Sequence, residues 1–201
     1  MASVKEVKEV LKRFYIETPS WAYGNSGTRF KVFAQPGVPR DPYEKISDAA
    51  QVNKFTGAAP AVAMHIPWDK VDDYAKLAKH AKDNGVYLGT INSNTFQDDD
   101  YKFGSVCHFD KKIRQKAVDH LLECVDIMDI TGAKDLKLWF ADGTNYPGQD
   151  DLAGRQDRLF ESLQKVYERL GDNQRMLLEY KFFEPAFYST DVPDWGTSYV
   201  H

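Results

Sequence analysis

The fold is decided by residues 59–91, APAVAMHIPWDKVDDYAKLAKHAKDNGVYLGTI. The first eight residues of this stretch, from Ala59 to Ile66, are nearly all apolar, as in a buried strand. Apolar residues then recur at helical spacing as far as Asn84-Gly85, a dipeptide that commonly ends a helix. A second apolar run follows at 86–91. The stretch therefore predicts a strand, a helix and the next strand.

The same pattern repeats along the chain. Five short apolar runs are predicted to be strands, at residues 21–23, 59–66, 86–91, 136–140 and 176–180. Helices are predicted between the later strands, and two of them are followed by a glycine, Gly132 or Gly171, that favours the end of a helix. Strands that alternate with helices indicate an α/β fold with a parallel sheet.

Three segments depart from this alternation. The capping box formed by Ser3 and Glu6 predicts an amphipathic helix over residues 3–15. Residues 24–42 contain three glycines and three prolines, so we expect a long loop there with no regular element. Residues 182–201 have no helical period, and no helix is predicted in them.

Two architectures contain five alternating strands: a doubly wound sheet and the first part of an eight-stranded barrel. A doubly wound domain would cover its last strand with a helix, which residues 182–201 do not predict. At the same spacing, eight strands need about 290 residues, more than the 201 of this chain. We therefore expect a single domain over residues 1–201 that forms the N-terminal part of a (β/α)8 TIM barrel.

The composition excludes several classes of protein. The 30 acidic and 26 basic residues give a net charge of -4 and are spread along the sequence, so no basic patch indicates nucleic-acid binding. No apolar window approaches the length of a membrane span, and the charged N-terminal residues are unlike a signal peptide. Two cysteines are too few for a disulfide scaffold or a four-thiolate zinc site. We therefore expect a cytoplasmic protein with neither nucleic acid nor membrane as a partner.

Ligands of parallel α/β folds bind at the carboxyl ends of the strands. Aromatic, amide and charged residues follow the predicted strands: Trp21, Tyr23, His65, Trp68, Asp69, Asn92, Asn94, Trp139, Asp142, Asn145, Glu179 and Lys181. Aromatic faces and hydroxyl-binding groups suit a polyhydroxylated substrate, although many barrel enzymes share such a set.

Three of these residues have both a functional and a structural interpretation. Glu179 and Lys181 are two residues apart on a strand, so their side chains are expected on the same face. They form either an ion pair or a metal ligand beside a donor to substrate. His65 ends an apolar strand and is either a core histidine hydrogen-bonded to the backbone or part of the pocket.

Four motifs resemble those of one family. They are PSWAYGNSGTRF at 19–30, MHIPWD at 64–69, LWFADGTNYPGQ at 138–149 and LEYK at 178–181. Their order and spacing resemble the L-rhamnose isomerases, in particular the bacterial branch with broad sugar specificity among the xylose isomerase-like barrels. The resemblance extends through nearly the whole chain.

The resemblance implies a metal-dependent isomerase that interconverts L-rhamnose and L-rhamnulose and acts on other sugars. It also implies manganese or a similar divalent ion, no organic cofactor, and a homotetramer. The route by which hydrogen moves between C1 and C2 stays open: it is either a hydride shift or proton transfer through an enediol.

The resemblance further implies a role for six residues. They are the catalytic residues Lys181 and His65, the substrate-binding residues Trp21, Trp139 and Phe30, and the metal ligand Glu179. Lys181 matches a lysine that contacts the substrate near C1. Phe30 matches an aromatic residue that reaches the site of a neighbouring subunit.

The other metal ligands of the family follow later strands and are expected beyond His201. We therefore expect activity from the complete protein and not from the 201-residue chain alone. Two alternatives stay open: a ketose 3-epimerase on the same barrel type, and a non-catalytic module that binds sugar weakly.

Overall fold

The computed structural model describes residues 2–28, 31–146, 148–180 and 189–200. The strands, in chain order, are β1 (Glu17–Pro19), β2 (Ser26–Thr28), β3 (Lys31–Phe33), β4 (Ala61–His65), β5 (Tyr87–Asn92), β6 (Asp135–Trp139), β7 (Gly143–Thr144), β8 (Arg175–Glu179) and β9 (Ser189–Thr190). The α-helices are α1 (Val4–Leu11), α2 (Pro42–Thr56), α3 (Tyr74–Asp83), α4 (Lys111–Thr131), α5 (Leu152–Tyr167) and α6 (Trp195–Val200). None of the helices in these ranges has the length and apolar character that a membrane span requires.

Five of the strands form one parallel sheet in the order β1-β4-β5-β6-β8. In its register, Glu17 pairs with Ala61 between β1 and β4, and Trp139 pairs with Glu179 between β6 and β8. Parallel strands need crossover connections, and helices provide them here. The predicted α/β class, with an incomplete barrel of about five strands, is confirmed.

The chain divides into two compact units, Met1–Thr90 with Ile130–Gly132, and Ile91–Asp129 with Ala133–His201. In the first unit every residue of β4 is buried, as its unbroken apolar run predicts. Asp73 caps α3 at its start, and Gly85 follows the end of that helix. The φ angle of Gly85 is 78°, in the left-handed region that favours glycine.

In the second unit α4 supplies a broad apolar face. Its buried residues recur at intervals of three and four, which is the period of a helix packed on one side. They are Ala117, Val118, Leu121, Cys124, Val125, Ile127 and Met128. β6 alternates instead, with Leu136 and Leu138 buried and Lys137 and Trp139 partly exposed. Lys137 and Trp139 therefore share one face of the sheet.

The first strand lies four residues earlier than the sequence predicts. β1 covers Glu17–Pro19, and the predicted strand residues around Trp21 belong to a turn of 3-10 helix at Ser20–Ala22 and the residue after it. Proline has no N–H to donate to a strand partner, so Pro19 is a natural last residue of the strand. The prediction was wrong because it treated an aromatic run as buried, whereas Trp21 is exposed.

Three further local predictions are wrong. β2 and β3 form an antiparallel hairpin inside the predicted loop, and α2 begins at Pro42 with Asp41 as its cap. Proline suits the first helical position, so the last proline of the predicted loop in fact marks the start of a helix. α6 lies in the segment predicted to contain no helix, because its six residues are too few to show a helical period. α1 ends at Leu11 instead of residue 15, and all its residues are exposed.

Candidate functional site

Three aromatic rings meet at the carboxyl end of β4, and we call Trp21, His65 and Trp68 the aromatic cluster. The imidazole of His65 stacks on Trp68, with ring centroids 3.5 Å apart and planes 14° from parallel. Trp21 meets both rings edge-on, with its centroid 5.8 Å from that of His65 and 6.4 Å from that of Trp68. His65 is 5% exposed, but Trp21 and Trp68 are 38% and 44% exposed. The cluster thus joins a buried histidine to two tryptophan surfaces that a ligand can contact.

Asp69 lies fully buried beside the aromatic cluster. Its Oδ2 accepts the backbone N–H of His65 at 2.8 Å and also the hydroxyl of Ser20, the residue before Trp21. Its Oδ1 accepts Nζ of Lys45, on α2, at 2.6 Å. The Lys45 side chain is itself largely buried, so this pair satisfies the requirement that a buried charge has a partner.

In the second unit, Glu179 forms an ion pair on the face of the sheet that includes Trp139. Lys137 Nζ lies 2.9 Å from Glu179 Oε2. The sequence predicts Lys181 as the neighbour of Glu179, but Lys181, like Phe30, lies outside the described residues. Lys137 is therefore a candidate site residue that the sequence analysis missed. Its spacing of two from Trp139 on one strand is the signal that could have found it.

Trp139 has an aromatic neighbour from the loop after β5. Phe96 contacts it edge to face, with ring centroids 4.5 Å apart and an interplanar angle of 85°. Phe96 also borders a cavity of about 210 Å³ that can admit a small polar molecule. The polar residues that line this cavity include Thr95, Lys102, Asn145 and Gln149. Sequence reasoning missed Phe96, for which the available signal is an aromatic residue in an otherwise polar loop.

Within the described ranges, one group of three metal-ligand side chains is found: Cys107, Asp142 and Asp191, all buried, with ligand atoms within 4.8 Å of one another. Arg155 donates to both Asp191 oxygens, at 2.9 and 2.7 Å, and its Nη2 lies 2.9 Å from Cys107 Sγ. Ser105 donates its N–H and its hydroxyl to Asp142, each at 2.6 Å. The Arg155 guanidinium pairs with Asp191, and the carboxylate of Asp142 accepts from Ser105, so both acids already have partners and we interpret this group as a buried polar network.

The protonation of Cys107 agrees with this interpretation. Burial raises the pKa of its thiol well above the ordinary value of 9.0, and the carboxylates of Asp142 and Asp191 act in the same direction. A thiol that keeps its proton is a poor nucleophile at neutral pH.

Glu179 is the metal ligand that the resemblance implies. Its carboxylate is a hard oxygen donor of the type that manganese and magnesium bind. In the part of the chain that the structure describes, however, Glu179 belongs to no group of three ligand side chains. The described residues thus offer one ligand at this position and not a complete metal site.

The fold is similar to that of several solved structures. The chain has an α/β fold with a parallel sheet. One similar solved structure is an L-ribulose 3-epimerase, with a TM-score of 0.65 and 15% sequence identity, covering 93% of this chain and 55% of that one. At this identity the likeness establishes the fold alone.

Sequence comparison identifies particular relatives. A probable sugar isomerase of Rhizobium meliloti is 43% identical over 202 residues, which cover 98% of this chain and 47% of the relative. A probable sugar isomerase of Mesorhizobium japonicum is 41% identical over 203 residues, with the same coverage of 98% and 47%. The chain therefore spans about half the length of the curated relatives that it matches. No family model matches the chain.

Proposed function

We propose that the complete protein is a sugar isomerase that interconverts L-rhamnose and L-rhamnulose and acts on other sugars. The observation that supports this most is the 43% identity, over 98% of the chain, to a probable sugar isomerase. The four motifs that resemble the L-rhamnose isomerases are the reason for choosing this sugar pair.

The aromatic residues supply binding surfaces in this proposal. Trp21 and Trp68 are each more than one third exposed, and aromatic rings pack against the carbon face of a sugar. Trp139 serves as a further wall of the site. His65 lies beside the sugar, and Lys181 donates to the oxygen near C1, where negative charge develops in the reaction.

The proposal includes a divalent cation, with manganese as the first choice, and Glu179 as one of its ligands. A divalent ion bound there would polarise oxygens of the open-chain sugar. The relatives are about twice as long as this chain, so the remaining ligands would belong to the other half of the complete protein. No organic cofactor is part of the proposal.

We also propose that the complete protein is a homotetramer in which Phe30 reaches a neighbouring subunit's site. This proposal rests on the resemblance of residues 19–30 to the family motif. Sedimentation of the complete protein at assay concentration tests it. A fully active monomer would rule out the role of Phe30.

A ketose 3-epimerase is the second candidate, and the similarity in fold to an L-ribulose 3-epimerase supports it. The two activities differ in the carbon at which hydrogen moves. An isomerase moves one hydrogen between C1 and C2, whereas a 3-epimerase removes a proton from C3 and returns it on the other face. A module that binds sugar without catalysis is the third candidate.

One experiment separates the three candidates. The complete protein is incubated with manganese in D₂O, once with L-rhamnose and once with L-ribulose, and the products are analysed by NMR. An isomerase converts L-rhamnose into L-rhamnulose. A 3-epimerase leaves the aldose unchanged and introduces deuterium at C3 of the ketose. If neither sugar changes under conditions in which both bind, the enzyme proposals are wrong and the binding module is favoured.

A further inference from the structure

We propose that Asp69 is a positioning residue that holds the aromatic cluster in its ligand-binding arrangement; its effect on sugar binding rests on the proposed function. The two carboxylate oxygens of Asp69 accept hydrogen bonds from Ser20, Lys45 and His65, which lie on three separate segments. Ser20 directly precedes Trp21, and His65 is itself a member of the cluster. One buried acid therefore holds the Ser20 side chain and the His65 backbone, at the two segments from which the cluster is built.

The third member of the cluster is fixed by the same residue. Asp69 follows Trp68 in sequence, and its backbone N–H donates to the His65 carbonyl oxygen at 2.7 Å. The His65 N–H donates in return to Asp69 Oδ2 at 2.8 Å. These reciprocal bonds close the turn that contains Trp68, so the stacked position of that ring on His65 depends on Asp69 as well.

The groups around Asp69 suit a carboxylate and not an amide. The Ser20 hydroxyl, the His65 N–H and the Lys45 ammonium all donate to its oxygens. An asparagine in the same place would turn an NH₂ group toward at least one donor. The buried Lys45 charge would also lose its partner, which is unfavourable in the interior.

The two tryptophans of the cluster are only partly buried. Trp21 and Trp68 are both more than one third exposed, so burial restrains their rings less than it restrains a ring in the core. A wall that packs equally on substrate and transition state affects KM more than kcat. We therefore expect loss of Asp69 to raise KM through the two tryptophans, and to lower kcat through His65, whose backbone N–H it holds.

The first test needs no sugar. The Asp69→Asn variant of the complete protein is measured by near-UV circular dichroism and by acrylamide quenching of tryptophan fluorescence. Far-UV circular dichroism confirms that the variant folds. We expect a reduced near-UV tryptophan signal and increased quenching. Asp73→Asn is the matched control, because it makes the same chemical change in the same unit. The Asp73 carboxylate accepts the Lys76 N–H at the start of a helix, and asparagine caps a helix equally well. This control should match the wild type.

The second test uses the complete protein and its sugar. Asp69→Asn should raise KM about tenfold, which corresponds to the free energy of about one hydrogen bond, and should also lower kcat because His65 loses its bond to Asp69. Should Asp69→Asn fail to fold, Ser20→Ala replaces it in both tests, because that variant removes one of the three donors and leaves the Lys45 pair intact.

A folded variant with a wild-type near-UV spectrum would overturn the inference, and so would an altered spectrum with an unchanged KM. A complete protein that turns over no sugar would instead contradict the proposed function. In that case the spectroscopic comparison of Asp69→Asn with Asp73→Asn still decides whether Asp69 positions the cluster.

Discussion

Lys137 Nζ lies 2.9 Å from Glu179 Oε2, although the two residues are two positions apart in the register of the neighbouring parallel strands β6 and β8. Both side chains are about two fifths exposed. Ion pairs this open to solvent stabilise a protein by only about 0 to 1 kcal/mol. The pair therefore affects the orientation of the Glu179 carboxylate more than the stability of the fold.

This relationship allows the metal assignment to be tested with a matched pair of variants. In the complete protein, Glu179→Gln should remove most activity and weaken manganese binding, because a neutral amide replaces a charged oxygen ligand. Lys137→Met breaks the same ion pair but keeps the carboxylate, so it should retain manganese affinity. Each variant should change the free energy of unfolding by less than about 1 kcal/mol. Calorimetric titration with unchanged manganese affinity in Glu179→Gln would reject the assignment.

Trp139 is expected to act as a binding surface more than as a core residue. Trp139→Ala should raise the KM of the complete protein for sugar while lowering stability only modestly, since the ring is partly exposed. Trp195→Ala, at a position 70% exposed, is the control and should change neither quantity. A loss of about 3 to 5 kcal/mol in the Trp139 variant, typical of a core tryptophan, would favour the structural interpretation.

The network around Arg155 is expected to be structural. Arg155→Met would leave Asp191 buried without its charge partner, and removal of one member of a buried pair costs about 3 to 5 kcal/mol. Arg169→Met is the matched control, because Arg169 pairs with Asp126 and Asp129 at an exposed position, where the cost is about 0 to 1 kcal/mol. Urea unfolding of both variants measures the difference. Equal midpoints would show that the network does not stabilise the fold.

The two buried cysteines predict a loss of stability at high pH. Burial raises the pKa of Cys107 and Cys124 above the ordinary value of 9.0. Above that pH the unfolded thiols ionise while the folded thiols keep their protons, so the free energy of unfolding should fall as pH rises. Below it these groups contribute no pH dependence. Replacing both with alanine should reduce the fall between pH 8 and 10 relative to the wild type, and an identical slope would contradict the prediction.

The strands were predictable from short apolar runs: β4 is buried throughout, and β6 is buried at alternate residues. β4, β5, β6 and β8 all begin and end within two residues of their predicted positions. The placement of His65 and Glu179 at strand ends follows from these boundaries. α2 could not be predicted in the same way, because its apolar residues are few and its start is marked mainly by Asp41 and Pro42.

The candidate site was only partly predictable. The sequence by itself determined which elements form and which residues follow each strand, because backbone conformation responds to neighbours along the chain. It could not determine that Glu179 pairs with Lys137, or that Asp69 bonds to both Ser20 and Lys45.

Those contacts were decided by the tertiary structure. Cys107 and Asp191 are 84 residues apart in the chain, yet Sγ of one lies 3.0 Å from Oδ2 of the other. Such partners depend on the strand register and on which donors are buried beside each acceptor. A buried charge takes whatever partner the packing brings within hydrogen-bond distance, and no spacing in the sequence encodes that distance.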